Sequence, residues 1–236
     1  MAEGLEIERI DATLVATVER GEQNSFSGKM IDELADTVIE AASDPSCRFV
    51  RLRARGDVFC LARDREGTSP DELRAEAARI VRINETLRTT PLVVVAEVNG
   101  DAAGFGCGLV GASDVAVASD AARFWFPEIR MGLAPSVVIS WASKVLPPKR
   151  AFDMVVTGEP IDAATAAGLG LITEAVPADR LSARVDERIQ AMAAFQPEGV
   201  RDIKRFFARA RTLDPASAAS ASVDALVMSS LRLQRS

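Results

Sequence analysis

The chain has 236 residues, a formal net charge of -6, 48% apolar residues and 5% aromatic ones. That length and apolar content are enough for a sizeable core, arranged as one domain with an appendage rather than two equal domains. The arginines are scattered among acids and no apolar run reaches membrane length, so neither nucleic acid nor a membrane is an expected partner.

The N-terminal stretch Met-Ala-Glu-Gly-Leu-Glu-Ile-Glu is acidic and has no apolar run. It reads as neither a signal nor a transit peptide, which makes the cytoplasm the expected compartment. Residues 5–19 alternate like strands, with Leu14, Ala16 and Val18 on one face and a turn near Asp11 and Ala12. Met30, Ile31, Leu34, Val38 and Ile39 fall on one helical stripe. Residues 49–52 read as another short strand and 55–70 as a loop. The helix after Pro70 is expected to turn Leu73, Ala77, Ile80 and Leu87 inward. Residues 92–98 form a near-continuous β-branched run, the mark of a strand covered on both faces. Repetition of strand, strand and helix implies a mainly parallel sheet with helices outside.

Asn99-Gly100 breaks that run, and Gly104, Gly106, Gly108 and Gly111 follow. Glycine at this density weakens a helix, so the missing side chains serve close backbone approach. A helix starting here points free N–H groups outward, and its dipole adds to their ability to stabilise developing negative charge in a dry site. Gly106-Cys-Gly108-Leu-Val-Gly111 also satisfies the dinucleotide pattern G-x-G-x-x-G. That pattern needs an acid about 20 residues on, ending the next strand. Glu128 is the only acid near that distance beyond Asp120, but an aromatic run and Pro127 precede it. The first glycine also lies well past the strand end at Val98, so the dinucleotide reading is set aside.

Beyond Pro135 the pattern turns helical, apart from a short strand at 172–176. Leu181, Val185, Ile189 and Met192 form one stripe. Pro197 opens a helix with Val200, Ile203, Phe206 and Phe207, and Pro215 opens a final one through Leu231. Such stripes either fold back on their own core or meet a partner, and periodicity does not say which.

With no histidine in the chain, Ser-His-Asp and Cys-His catalysis are excluded and no metal site is expected. Cys47, Cys60 and Cys107 are far apart and form no CxxC pair, which fits reduced thiols acting as small buried residues.

Five ordered segments carry a resemblance. They are Asn24-Ser-Phe-Ser27 with the helix over 29–42, Val58-Phe-Cys-Leu-Ala-Arg-Asp64, residues 99–114, Ala122-Arg-Phe-Trp-Phe-Pro-Glu-Ile-Arg-Met-Gly-Leu-Ala-Pro135, and residues 146–177. In order, they resemble the blocks of the crotonase, or enoyl-CoA hydratase/isomerase, family. The resemblance implies an α/β fold: a crotonase-type ββα spiral core over 1–194 with an acyl-CoA site, and a C-terminal helical region over 195–236 that joins subunits into a homotrimer or hexamer. It implies no cofactor, since CoA is part of the substrate.

Carried over position by position, the backbone N–H groups of the oxyanion hole fall on Arg63 and Phe105. Cys60, Ala62, Gly104, Gly108, Pro127 and Ser136 fall on substrate-binding positions. Arginine and phenylalanine keep the backbone donors but narrow the space around them. Phe105 is expected to line the acyl pocket, and the Arg63 side chain to reach either a CoA phosphate or solvent. Of the two acid/base positions of the family's hydratases, one aligns with Gly108 and is empty, and the other aligns with Glu128 and is intact. Behind the aromatic run, Glu128 is expected to have a raised pKa and to act as the catalytic acid/base. Asp64 and Asp101 read as turn or capping residues, and Asp114 as structural. Ser136, Val137 and Val138 stand where many relatives have glycines, which implies a reshaped acyl cavity. The implied activity is enoyl-CoA double-bond isomerisation by one glutamate. Hydration by one glutamate and a catalytically reduced binder of CoA esters are the alternatives.

Overall fold

The computed structural model describes residues 2–234. Met1, at the head of the expected core, and Arg235 and Ser236, at the end of the expected helical region, lie outside the described residues. The alternating N-terminal segment is a hairpin of β1 (Leu5–Ile10) and β2 (Thr13–Val18), antiparallel and turning through Asp11, whose φ is +49°. Helix α1 (Gly28–Ala41) starts at Ser27, whose hydroxyl accepts the Met30 N–H, and it buries Met30, Ile31, Leu34, Ala35 and Val38. Strand β3 (Phe49–Ala54) follows, and then β4 (Val58–Cys60) inside the stretch expected to be loop. Three residues are too few for alternation to show.

Helix α2 (Pro70–Thr89) begins with a capping box of Ser69 and Glu72. Its inner face departs from expectation. Leu73 is 51% exposed, and the buried residues are Ile83, Asn84 and Leu87. The first half of α2 stands clear of the core, and periodicity cannot show where a helix leaves it.

Two paired units carry the chain onward: β5 (Val93–Val98) with β6 (Asp101–Ala103) and helix α3 (Phe105–Ala112), then β7 (Val115–Ser119) with β8 (Arg123–Trp125). A 3-10 turn (Pro127–Met131) leads to α4 (Ser136–Val145) and α5 (Pro148–Thr157). Strand β9 (Ile161–Asp162), α6 (Ala163–Leu169), β10 (Glu174–Val176), α7 (Leu181–Ala193), α8 (Pro197–Ala210) and α9 (Pro215–Leu233) complete the described order.

The strands form two sheets. The larger has the order β1-β2-β3-β5-β7-β10 and is parallel except for the hairpin; the smaller has the order β4-β6-β8-β9, with only β9 antiparallel. Each turn of the chain thus adds one strand to each sheet. Alternation decides what each face of the large sheet meets. Val50, Leu52, Val94, Ala96, Ala116 and Ala118 join the main core, while Phe49, Val93, Val95 and Val117 pack on Leu181 and Val185 of α7. Arg51 lies on that second face. Its guanidinium reaches Glu97 Oε2 at 2.5 Å, Asp186 Oδ1 at 2.7 Å and Ser182 Oγ at 2.9 Å.

Helix α8 is tied to this body by Lys204, which is buried. Its ammonium donates to the carbonyls of Leu87 and Leu92, at 3.0 and 2.7 Å, and to Asp114 Oδ2 at 2.6 Å. The other face of α8, with Ile203 and Phe207, is exposed, as are Val223, Leu226, Val227 and Met228 of α9.

Candidate active site

Strand β6 runs into Gly104, whose φ of +51° belongs to the left-handed region that glycine tolerates best. Gly104 N–H donates to Trp125 O at 3.0 Å, which fixes the start of α3 beside β8. From there Gly106 and Gly111 act as close-approach residues. A Cβ on Gly106 would lie 2.1 Å from the Cys60 carbonyl oxygen, so α3 rests directly on the end of β4.

Two backbone donors border this junction. The N–H of Phe105, first in α3, has no hydrogen-bond partner among the described residues. Across from it the chain after β4 forms a parallel bridge with Phe26. Phe26 donates to Ala62 O at 3.2 Å and accepts from Asp64 N–H at 2.8 Å. The N–H of Arg63 points out of that pairing and likewise has no partner among the described residues. The rings of Phe26 and Phe105, 5.1 Å apart, close the gap between the two segments.

Glu128 sits in the 3-10 turn after the aromatic run. Its Oε1 lies 3.1 Å from the point where a Cβ on Gly104 would stand, so the carboxylate faces the residue just before the Phe105 N–H. Its Oε2 is buried without a hydrogen-bond partner. Burial pushes its pKa above the ordinary carboxylate range, against the smaller opposing effects of its own backbone N–H and the charges of Arg65 and Arg63. One helical hydrogen bond further along α3, from Gly108 N–H to Gly104 O at 3.1 Å, is Gly108. A Cβ there would meet only the side-chain amide of Asn84, Oδ1 at 3.7 Å and Nδ2 at 3.9 Å.

The other predicted residues distribute unevenly. The Arg63 side chain is not in solvent: it is 20% exposed and pairs with Glu76 Oε2 at 3.0 Å. Cys60 is fully buried under Gly106 and its Sγ donates to Ala62 O at 3.3 Å, so its side chain supports the junction from beneath. Burial pushes its thiol up to about 12, and that of Cys107 upward as well. The Phe105 side chain is 7% exposed and belongs largely to the core. Gly104 and Gly108 are buried, and Ala62 and Pro127 are half-buried. Ser136 is exposed at the start of α4, with Oγ 3.5 Å from Ala134 O.

Asp64 and Asp101 serve in ion pairs rather than as turn or capping residues, with Arg20 at 2.8 Å and Arg123 at 2.6 Å. Among the described residues no three Cys, Asp or Glu side chains group as a metal-binding set. Sequence reasoning passed over Asn84. Its one signal was a polar residue four positions after Ile80, on the inner stripe of α2.

Comparison with known proteins bears on this geometry. The family profile described as enoyl-CoA hydratase/isomerase matches residues 9–234. The mitochondrial enoyl-CoA hydratase domain-containing protein 3 of Xenopus laevis is 34% identical over 174 residues, 70% of this chain. The match spans 58% of that relative, under two thirds of its length. Among solved structures, an enoyl-CoA hydratase of Mycobacterium smegmatis superposes with a TM-score of 0.92 at 29% identity, covering 97% of this chain and 91% of its own. Human enoyl coenzyme A hydratase domain-containing protein 3 superposes with a TM-score of 0.90 at 26% identity, covering 95% and 91%.

Proposed function

The chain belongs to the enoyl-CoA hydratase/isomerase family, and from that premise we propose that it binds acyl-CoA thioesters and shifts a carbon–carbon double bond along the acyl chain. The N–H groups of Arg63 and Phe105 donate to the thioester oxygen. As negative charge gathers on that oxygen the two hydrogen bonds strengthen, which acidifies C2. Glu128 removes a proton from C2 of a 3-enoyl thioester and returns it to C4. The double bond moves to C2–C3, and the carboxylate ends as it began. A pKa lifted by burial suits a group that must both take and give a proton.

The observation that carries this reading is a single half-buried carboxylate, its Oε2 unpartnered, beside Gly104, with Gly108 rather than a second carboxylate one turn along. Hydration is the second reading, favoured by the names of the relatives above. It requires a water to be held and deprotonated while C2 gains a proton. Loss of one acid/base group typically lowers such a rate by about 10²- to 10⁴-fold. The exposed apolar residues of α8 and α9 support association into a trimer or a multiple of it.

The test is incubation with 3-enoyl-CoA and 2-enoyl-CoA esters of several lengths. The expected result is conversion of the 3-enoyl to the 2-enoyl ester, lowered about 10²-fold or more by Glu128→Gln, with slow hydration of the 2-enoyl ester. Isomerisation untouched by Glu128→Gln would assign the base elsewhere.

A further inference from the structure

Asn84 is a polar residue on the inner face of α2, 5% exposed, between Ile83 and Leu87, which are fully buried. Its Oδ1 is buried with no hydrogen-bond partner. A buried amide oxygen left in this state weakens the fold, because it has given up water for nothing in return. An aliphatic side chain at this position would serve the core better. The amide instead faces Gly108, the one glycine of α3 at which a Cβ would meet no contact closer than 3.7 Å. Gly108 lies one helical hydrogen bond from Gly104, against which the Glu128 carboxylate is set. A carboxylate with an unpartnered oxygen and an amide with an unpartnered oxygen therefore face Gly104 and Gly108, which stand about 6 Å apart along the axis of α3.

We propose that Asn84 is a specificity-determining residue whose carboxamide hydrogen-bonds an uncharged oxygen substituent on the acyl chain, beside Gly108. This role rests on the thioester reading of the site. An amide both donates and accepts, so it fits a hydroxyl, which does the same. With Glu128 on the same turn, a negatively charged substituent is disfavoured. The separation of about one helical turn from the Phe105 N–H corresponds to an oxygen on C3 or C4, counted from the thioester carbonyl. An amide can hold that oxygen but cannot deprotonate it, so Asn84 contributes to selection and not to proton transfer.

Titration calorimetry of the full-length protein with butyryl-CoA, 3-hydroxybutyryl-CoA and 4-hydroxybutyryl-CoA tests this. The wild type is expected to bind one of the hydroxylated esters about tenfold more tightly than butyryl-CoA. Asn84→Leu should abolish that preference while holding butyryl-CoA at least as well, and Asn84→Asp, which keeps an oxygen acceptor, should retain it. Asn84→Leu should also melt no lower than the wild type, since it removes an unpaired buried amide oxygen; a structural asparagine would show a drop. Should the leucine variant fail to fold, Asn84→Ala makes the same binding comparison. Absence of the preference in the wild type, or its survival in Asn84→Leu, overturns the proposal. Failure of the wild type to bind any of the three esters overturns the thioester reading instead.

Discussion

Substituting Gly108 by glutamate puts a second carboxylate where the proposed site has none, and the backbone is ready to accept it. Gly108 has no left-handed φ, and its Cβ would make only ordinary contacts, 3.7 and 3.9 Å, with the Asn84 amide. The Phe105 ring does not come within 4 Å of that Cβ. Replacing a mid-helix glycine by a good helix former contributes up to about 1 kcal/mol in favour of the fold, which offsets part of the burial of a carboxylate. General acid or base assistance contributes about 10²- to 10⁴-fold. Because Asn84 narrows the rotamers open to the new side chain, the lower end applies: a rise of about 10²-fold in 2-enoyl-CoA hydration, or about 2.7 kcal/mol of barrier. The assay follows loss of the conjugated enoyl thioester absorbance.

The neighbouring glycines supply controls. At Gly106 a Cβ would stand 2.1 Å from Cys60 O, and at Gly111 it would stand 2.4 Å from the Trp141 ring. Gly106→Ala and Gly111→Ala should therefore lose about 1–3 kcal/mol of stability or fail to fold. A folded Gly108→Glu that binds 2-enoyl-CoA as well as the wild type, yet hydrates it no faster, would refute the assignment of position 108 to the reacting end of the substrate.

The kcat/KM for the proposed isomerisation should fall as pH drops through a pKa above the ordinary carboxylate range, because the proposed base Glu128 would work only when ionised and burial favours its neutral form; a pH–rate profile reads this directly. The same shift makes the folded state bind its proton more tightly than the unfolded chain, so stability declines as pH rises from the unfolded pKa to the folded one. Glu128→Gln should accordingly melt above the wild type at neutral pH, with the gap closing below the ordinary carboxylate range. Lys204→Met should lower stability in urea by about 3 kcal/mol, since it strands Asp114, whose carboxyl burial already holds above its usual pKa. Light scattering should give a mass that is a multiple of three chains, and Phe207→Glu with Leu226→Glu, both on exposed apolar positions, should reduce it; a monomeric wild type at micromolar concentration would contradict this.

Local pattern was enough for much of this protein. The β-branched run at 92–98 declares a strand covered on both faces, and the structure finds a strand over 93–98 with all six residues buried. The stripe of α1 falls where a 3.6-residue period puts it except at Ile39, which is exposed at the edge of the buried face, and the stripe of α7 packs as expected on the second face of the large sheet. The glycine cluster announces close backbone contact, since no other residue tolerates such approach.

What escaped was set by distant parts of the chain meeting. Nothing near Lys204 in sequence says that its ammonium will be buried against Asp114 and the carbonyls of Leu87 in α2 and Leu92 before β5, 90 or more positions away. Nothing near Arg63 says that its side chain will turn to Glu76 and leave solvent. Strand β4 has too few residues for a period and exists because β6 offers it a ladder. Asn84 is the clearest case. On a helical wheel it is a polar blemish in an apolar stripe. Only the packing of α2 across α3 sets its amide against the bare face of Gly108, because a hydrogen-bonding group is defined by what it faces, and facing is a property of the folded chain.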